Sequence, residues 1–457
     1  MAAPKQAPPL RAEKVATATF SSVSRLLLLA PLPRSKSRKV RKHEGFRTLR
    51  RTCRRSRMER QGLQPLTVPA FLTVCGGAQT GAALCLEIVH AFLICRISLH
   101  EVQSGGTGCG KWKQHATERI VLQEELLMKA LVLGGAGYIG SHTVFALIEQ
   151  GFDVAVADNL QTGHRAAVHP EARFHMGDVR DRSFMNDVLQ REAPDAVIHF
   201  AANSLVGESM REPMKYYDNN VGGACTLLAS MAEQGVRKIV FSSTAAVYGE
   251  PERIPIREND KTIPTNPYGE TKLAMERMFH WADVAYGVKS VSLRYFNACG
   301  AHESGCIGEA HATETHLIPI VLQVPNGQRA SVNVFGNDYE TRDGTCVRDY
   351  IHVTDLAQAH ILAMCYLAGG GESDVFNLGT GVGFTVREII HAAERVTGRA
   401  IPAVDAPRRA GDPAQLVASG DRAREVLGWQ PQFTEVEEII ASAWRWHSTH
   451  PDGFENR

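Results

Sequence analysis

Tyr268 and Lys272 stand four residues apart. On a helix that spacing puts a phenol and an ammonium on one face. A free tyrosine, with its pKa near 10, is a poor base at neutral pH. A neighbouring positive charge stabilises the phenolate and turns the ring oxygen into a proton acceptor. About two dozen residues upstream, Phe241-Ser242-Ser243-Thr244 ends an apolar run that reads as a strand. A hydroxyl there can hydrogen-bond a reacting oxygen and relay its proton. Thr244, Tyr268 and Lys272 are therefore the candidate catalytic set. The plain alternative is a surface Tyr and Lys on an amphipathic helix, with Thr244 as a turn residue; what surrounds them separates the two.

A second patch supplies that context. Gly134, Gly137 and Gly140 follow the pattern G-x-x-G-x-x-G between a predicted strand, Ala130–Leu133, and a predicted helix, Ser141–Gln150. The first glycine permits the tight turn, the second lets backbone approach a pyrophosphate, and the third lets the helix pack on the sheet. The helix amino terminus then offers free N–H groups to phosphate. Asp158 ends the next strand, 18 residues past Gly140. A carboxylate there accepts both ribose hydroxyls of a dinucleotide and repels a 2′-phosphate, so NAD is favoured over NADP. Asp178, closing a further strand in Gly177-Asp178-Val179, is placed to meet the adenine.

These residues need a scaffold. From Met128 the chain alternates short apolar runs (Asp153–Ala157, Asp195–Ala201, Lys238–Ser242, Ser290–Arg294) with helix-like segments such as Gly222–Gln234 and Gly269–Tyr286. That rhythm predicts an α/β fold, a Rossmann-type doubly wound parallel sheet covered on both faces. After about Asn297 the loops lengthen and Gly, Pro, Asp and Arg cluster, with a short strand at Val332–Phe335 and a helix at Thr385–Thr397. The expected organisation is an extension (1–127), an NAD-binding domain (128–297) and a smaller mixed α/β substrate-binding lobe (298–457).

Charge separates the first segment from the rest. Residues 1–127 hold 21 Lys and Arg against 8 Asp and Glu, and the remainder holds 29 against 41. A basic run such as Arg34–Lys42 can bind nucleic acid, and a Ser- and Arg-rich, acid-poor composition suits a transit-like leader. The plainer expectation is a disordered or non-native extension, because Met128-Lys129-Ala130 itself looks like a natural start. Nucleic acid is not expected as a partner. Gly81–Ile97 is interrupted by Glu87, His90 and Arg96 and is too short for a membrane span. The ten cysteines contain no C-x-x-C pair, which argues against zinc and for reduced thiols in a cytosol. His311 and His316 lie near each other without an evident ligand pattern, so no metal is expected.

Longer motifs narrow the reading. His199-Phe200-Ala201-Ala202, Val206-Gly207-Glu208-Ser209, Tyr217–Val221, Leu293-Arg294-Tyr295-Phe296-Asn297, Phe335–Tyr339, Val347–Val353 and Arg409-Ala410-Gly411-Asp412 resemble the UDP-glucose (UDP-galactose) 4-epimerases of the extended short-chain dehydrogenase/reductase family. The resemblance runs from Met128 to the carboxyl end. It implies that Tyr138, Ile139, Asp158, Asn159, Asp178 and Val179 contact NAD, with Phe200, Ala201, Ala202, Asn219, Lys272 and Tyr295. It implies that Thr244 and Tyr268 contact the sugar, that Phe296, Asn297 and Leu317 line the UDP-sugar cleft, and that Arg348, Arg409 and Asp412 hold the nucleotide. The activity implied is C4 oxidation of a UDP-hexose, rotation of the 4-keto intermediate and re-reduction by a cytoplasmic homodimer. Three positions depart from the family: Ser204 where some members carry Lys, His316 where others carry Asn, and Leu416 where members carry Tyr or a smaller side chain. A related 4,6-dehydratase is the nearest rival, but it needs an Asp-Glu pair after the active-site Thr, and Ala245-Ala246 stand there.

Overall fold

The computed structural model describes residues 128–409 and 413–454; the expectations for residues 1–127 and for Asp412 lie outside these. The chain lays down β1 (Lys129–Leu133), β2 (Asp153–Asp158), β3 (Arg173–Met176), β4 (Ala196–His199), β5 (Lys238–Ser242) and β6 (Lys289–Arg294). It then makes the short strands β7 (Asn297–Cys299), β8 (Val332–Phe335), β9 (Val347–Arg348) and β10 (Tyr350–His352), then β11 (Asp374–Asn377), with further two- to four-residue strands after it. Helices α1 (Tyr138–Glu149), α2 (Arg182–Glu192), α3 (Gly223–Gln234) and α4 (Pro267–Tyr286) are interleaved with the first six strands. The later chain adds α5 (Leu317–Leu322), α6 (Val353–Ala368), α7 (Val386–Thr397) and α8 (Val436–Thr449).

Seven strands form one sheet in the order β11-β6-β5-β4-β1-β2-β3, every pairing parallel. The order reverses between β1 and β4, and a crevice opens at such a point beyond the strand carboxyl ends. Successive β1 residues serve opposite faces, as the pleat requires. Ala130 and Val132 join a core with Val144 and Leu147 of α1 and Leu356, Ala363 and Leu367 of α6. Leu131 and Leu133 join one with Met185 and Leu189 of α2, Leu227 and Met231 of α3, and Met275 and Phe279 of α4. Each such large side chain, taken fully out of water, stabilises the sheet sandwich by about 1.5–3 kcal/mol.

A third apolar cluster gathers Ile318 and Val321 of α5, Val332 and Val334 of β8, Ile389 and Ile390 of α7, and Ile439 and Ile440 of α8. Residues 298–457 nevertheless serve both layers. Helix α6 packs on the main sheet, and β11 pairs with β6 in the register Phe376↔Leu293. This return matters for the site, because it brings Asn377 beneath the carboxyl ends of β5 and β6.

Candidate active site

The glycine turn behaves as its spacing demands. Gly134 has φ +79°, and a Cβ there would sit 2.6 Å from Ala201 N. A Cβ on Gly140 would lie 2.1 Å from the Gly134 carbonyl oxygen, so only hydrogen fits where α1 starts against the turn. Asp158 closes the adjacent strand. Its Oδ2 accepts from Ala136 N (3.0 Å) and its Oδ1 from Leu160 N (2.8 Å), which holds the carboxylate against the turn. Burial raises its pKa, and those two N–H groups work in the opposite direction.

Helix α4 is built to deliver two groups. The Asn266 side chain caps its start by accepting from Gly269 N (2.9 Å), and Pro267 occupies the first turn, where a missing N–H costs nothing. A Cβ on Gly269 would be 2.7 Å from Ala246 O, so glycine lets the helix rest on the turn after β5. In that turn, Thr244 Oγ1 accepts from Ala246 N (3.1 Å), which leaves its hydrogen for the hydrogen bond it makes with the Tyr268 side chain. One turn along α4, Lys272 is buried; its Nζ donates to Ser242 O (2.8 Å) and lies 4.8 Å from the Phe241 ring centroid and 5.9 Å from that of Tyr268.

The sequence reading has the Lys272 ammonium and a positive nicotinamide ring together drawing the Tyr268 phenol towards phenolate; the protein's own groups, without that ring, work differently. Desolvation instead dominates both groups: it pushes the Tyr268 pKa up to about 12, opposed by the Thr244 hydrogen bond. It draws Lys272 down to about 7, opposed by the charge of Glu276. The lysine is bound to a carbonyl rather than to the phenol oxygen, so favouring the phenolate falls to the Thr244 hydrogen bond and to the positive charge of a bound nicotinamide ring.

One pocket of about 900 Å³ collects most of the sequence candidates. At one end Gly134, Gly137, Tyr138, Ile139, Gly140, Asp158, Asn159 and Val179 line it. Phe200, Ala201, Ala202, Asn219 and Tyr295 continue the wall towards Thr244, Tyr268 and Lys272. Phe296, Asn297, Arg348 and Arg409 also line it, as do Ser204, His316 and Leu416, the three departures from the family pattern. Two candidates do not line it. Asp178 is taken up by Arg180, whose Nη2 donates at 2.7 Å, and by Asn159 Nδ2 at 3.0 Å, and the arginine holds its carboxyl well below the usual range. Leu317 packs against the third apolar cluster.

Sequence reasoning missed several residues that place these groups. Asn220 lies in a wide π-turn, Tyr217–Gly222, that runs into α3. Its Nδ2 donates to Thr271 Oγ1 (3.0 Å) and its Oδ1 accepts from Asn203 N (2.8 Å), tying α4 to the pocket wall; inserted turns of this kind recur at functional sites. Glu276, one turn past Lys272, forms a buried pair with Arg294 (Nη2–Oε2, 2.5 Å) and accepts from Ser243 Oγ at 2.5 Å. Arg294 Nη1 donates to the Tyr248 hydroxyl (2.8 Å), which donates to Asn377 Oδ1 (2.7 Å). The i, i+4 spacing of Lys272 and Glu276 was visible, but the arginine on a neighbouring strand was not.

The glycine cradle, the strand-end carboxylate and the long pocket fit a dinucleotide: the turn leaves no room for a Cβ where a pyrophosphate must approach, and Asp158 stands where a ribose would end. Replacing Gly140 with Ala therefore forces backbone apart. It is expected to cost about 1–3 kcal/mol, or roughly 5- to 150-fold in NAD affinity. Bound nicotinamide dinucleotide in the purified variant, measured by absorbance after denaturation, checks this.

Comparison with known proteins agrees with the geometry. The model of the NAD dependent epimerase/dehydratase family matches residues 130–379. A UDP-glucose 4-epimerase of Lacticaseibacillus casei is 58% identical over 330 residues, covering 72% of this chain and all of that protein. A crystal structure of a UDP-glucose 4-epimerase superposes with a TM-score of 0.71 at 55% identity, covering 72% of this chain and 100% of the other. The Bifidobacterium longum UDP-glucose 4-epimerase, solved in complex with NAD+ and UDP, superposes with a TM-score of 0.68 at 41% identity over 72% of this chain and 100% of its own. The chain belongs to the NAD dependent epimerase/dehydratase family.

Proposed function

We propose that this chain interconverts UDP-glucose and UDP-galactose, using NAD held in the glycine-turn end of the pocket. The observation that carries the reading is the joining of that end to Thr244, Tyr268 and Lys272 in one cavity. The names of the relatives support the substrate. NAD, when bound, supplies a reversible acceptor for the C4 hydrogen and a positive ring charge beside the phenol. Tyr268 takes the proton of the sugar 4-hydroxyl and later returns it, with Thr244 bonded to the phenol to relay or hold that proton. Lys272 keeps positive charge near the same oxygen. The 4-keto sugar turns about its link to the diphosphate, so that reduction returns hydrogen to the other face. Binding at the nucleotide, remote from C4, keeps the intermediate from escaping.

Arg348 and Arg409 are the nucleotide's proposed donors, with Asp412 close to Arg409 in sequence; a diphosphate asks for planar, forked cations. Arg409 lies 4.0 Å over the Phe335 ring, which orients its guanidinium. Arg409→Ala is expected to raise KM for UDP-galactose about 10- to 100-fold, a loss of one charge-assisted contact. Its kcat changes little, because the contact exists equally in ground and transition states. Initial-rate kinetics separate the two constants.

The proposed assembly is a homodimer. Its support is Trp281 and Val284, one turn apart on α4 and both 66% exposed, an apolar surface of the kind that interfaces cover. A cytoplasmic setting is supported by the free thiols of Cys225, Cys299, Cys306, Cys346 and Cys365. Incubating the purified protein with UDP-galactose tests the activity: the account expects UDP-glucose of unchanged mass. A product lighter by one water would instead identify a dehydratase, although Ala245 and Ala246 offer no acid for that step.

A further inference from the structure

Between β7 and α5 the chain carries Glu309, His311, Glu314 and His316, the spacing E-x-H-x-x-E-x-H. The sequence reading saw two histidines without a ligand pattern around them. Folding supplies the pattern. One donor atom from each of the four side chains lies within 4.8 Å of all the others. His311 Nδ1 is 3.2 Å from Glu309 Oε1 and 3.4 Å from Glu314 Oε2, and His316 Nδ1 is 3.8 Å from Glu314 Oε1 and in closer contact with Glu309. Four ligands at ~2.0–2.2 Å from a tetrahedral zinc ion are separated by about 3.3 Å along each edge. Three of the observed contacts, at 3.2, 3.4 and 3.8 Å, bracket that figure; the Glu309–His316 contact is shorter and would open to admit an ion between them. The two imidazole rings stand 5.2 Å apart at 78°, steep enough for both to aim a nitrogen at one point.

The donors are held from outside the cluster. Trp446 Nε1 of α8 donates to Glu309 O (3.0 Å), and His164 Nε2 meets Ala310 O at 2.7 Å. Glu314 Oε1 accepts from the backbone N–H groups of Thr315 and His316, each at 2.7 Å. The Glu309 carboxylate is almost wholly buried and therefore needs positive partners. Two imidazoliums can provide them, and so can one divalent cation with both imidazoles neutral. Two nitrogens and two carboxylate oxygens suit zinc better than magnesium or calcium, which want oxygen alone.

We propose that Glu309, His311, Glu314 and His316 bind one divalent transition-metal ion of the zinc type. Four protein ligands close its coordination sphere, so the ion is structural: it pins the segment before α5, whose residues His311, Glu314 and His316 wall the pocket. The chemistry proposed at C4 uses none of the four residues, although His311, Glu314 and His316 wall the same pocket.

The test uses the full chain, dialysed against a chelator and then titrated with ZnCl2 by isothermal calorimetry. One zinc per chain is expected at this site, with a rise in melting temperature on binding. Glu309→Gln and His311→Gln each lower zinc affinity by about 100-fold or more, at least the loss seen for supporting residues of metal sites. His316, 44% exposed, gives a third variant, His316→Gln, that decides the matter should the buried Glu309→Gln chain fail to fold. No stoichiometric zinc, or wild-type affinity in the folded variants, overturns the assignment; the latter places the zinc elsewhere, on thiols for instance. Magnesium bound as tightly as zinc overturns the metal class.

Discussion

Tyr268→Phe lowers kcat for UDP-galactose by about 10³-fold, in the middle of the range for removing a general acid–base group. The substitution deletes one oxygen and keeps the ring, so packing at the start of α4 is undisturbed. Lys272 retains its bond to Ser242 O, because that contact does not involve the phenol. The Thr244 hydroxyl loses its partner on the ring and faces the cleft. UDP affinity is therefore unchanged while turnover collapses. Steady-state kinetics beside a UDP titration check both halves. Turnover within a few-fold of the parent would remove Tyr268 from the chemistry, and joint loss of UDP binding would make it a packing residue.

The second large effect concerns stability as well as rate. Glu276 and Arg294 are both about nine-tenths or more buried, and the carboxylate takes two hydrogen bonds from the guanidinium and one from Ser243. Glu276→Gln leaves the Arg294 charge without its counterion in the interior, which costs about 3–5 kcal/mol. Replacing both at once, Glu276→Leu with Arg294→Met, removes the charge together with its partner and recovers much of that loss, since apolar pairs of like volume are often no less stable. Urea unfolding of the parent, the single and the double variant reads this directly. Activity follows a different course. The pair anchors Ser243, next to Thr244, and sets the electrostatics of Lys272 one turn away, so the double variant regains stability without regaining rate.

Much of this site was legible before folding because its signals are local. The glycine turn, the strand-end Asp158 and the Tyr268/Lys272 spacing each sit within one strand–turn–helix unit, where short-range sterics and helix periodicity decide geometry. The predicted helix Gly269–Tyr286 begins two residues late because Asn266 and Pro267 form the start through capping rather than through apolar periodicity. What the sequence left hidden depends on distant partners. Glu276 meets Arg294 from a different element, and Asn377 reaches Tyr248 only because β11 returns to the sheet from far along the chain. The electrostatics of Tyr268 depend on distant partners too: spacing puts an ammonium on its helix face, but only the fold shows that burial raises its pKa and that Lys272 donates to the Ser242 carbonyl. Asp178 is read from its place at a strand end, and the fold adds that its carboxylate is paired with Arg180, two residues on.

The account's central claim is that the C4 hydrogen of a tethered hexose leaves and returns within one pocket while Tyr268 handles only the hydroxyl proton. UDP-galactose carrying deuterium at C4, converted by the holoenzyme in ordinary water, tests it most directly. The prediction is UDP-glucose with the deuterium still at C4 and none released to solvent. Deuterium washed out into water would mean that C4 is deprotonated by a base, and the roles given to Tyr268 and to the dinucleotide end of the pocket would be wrong.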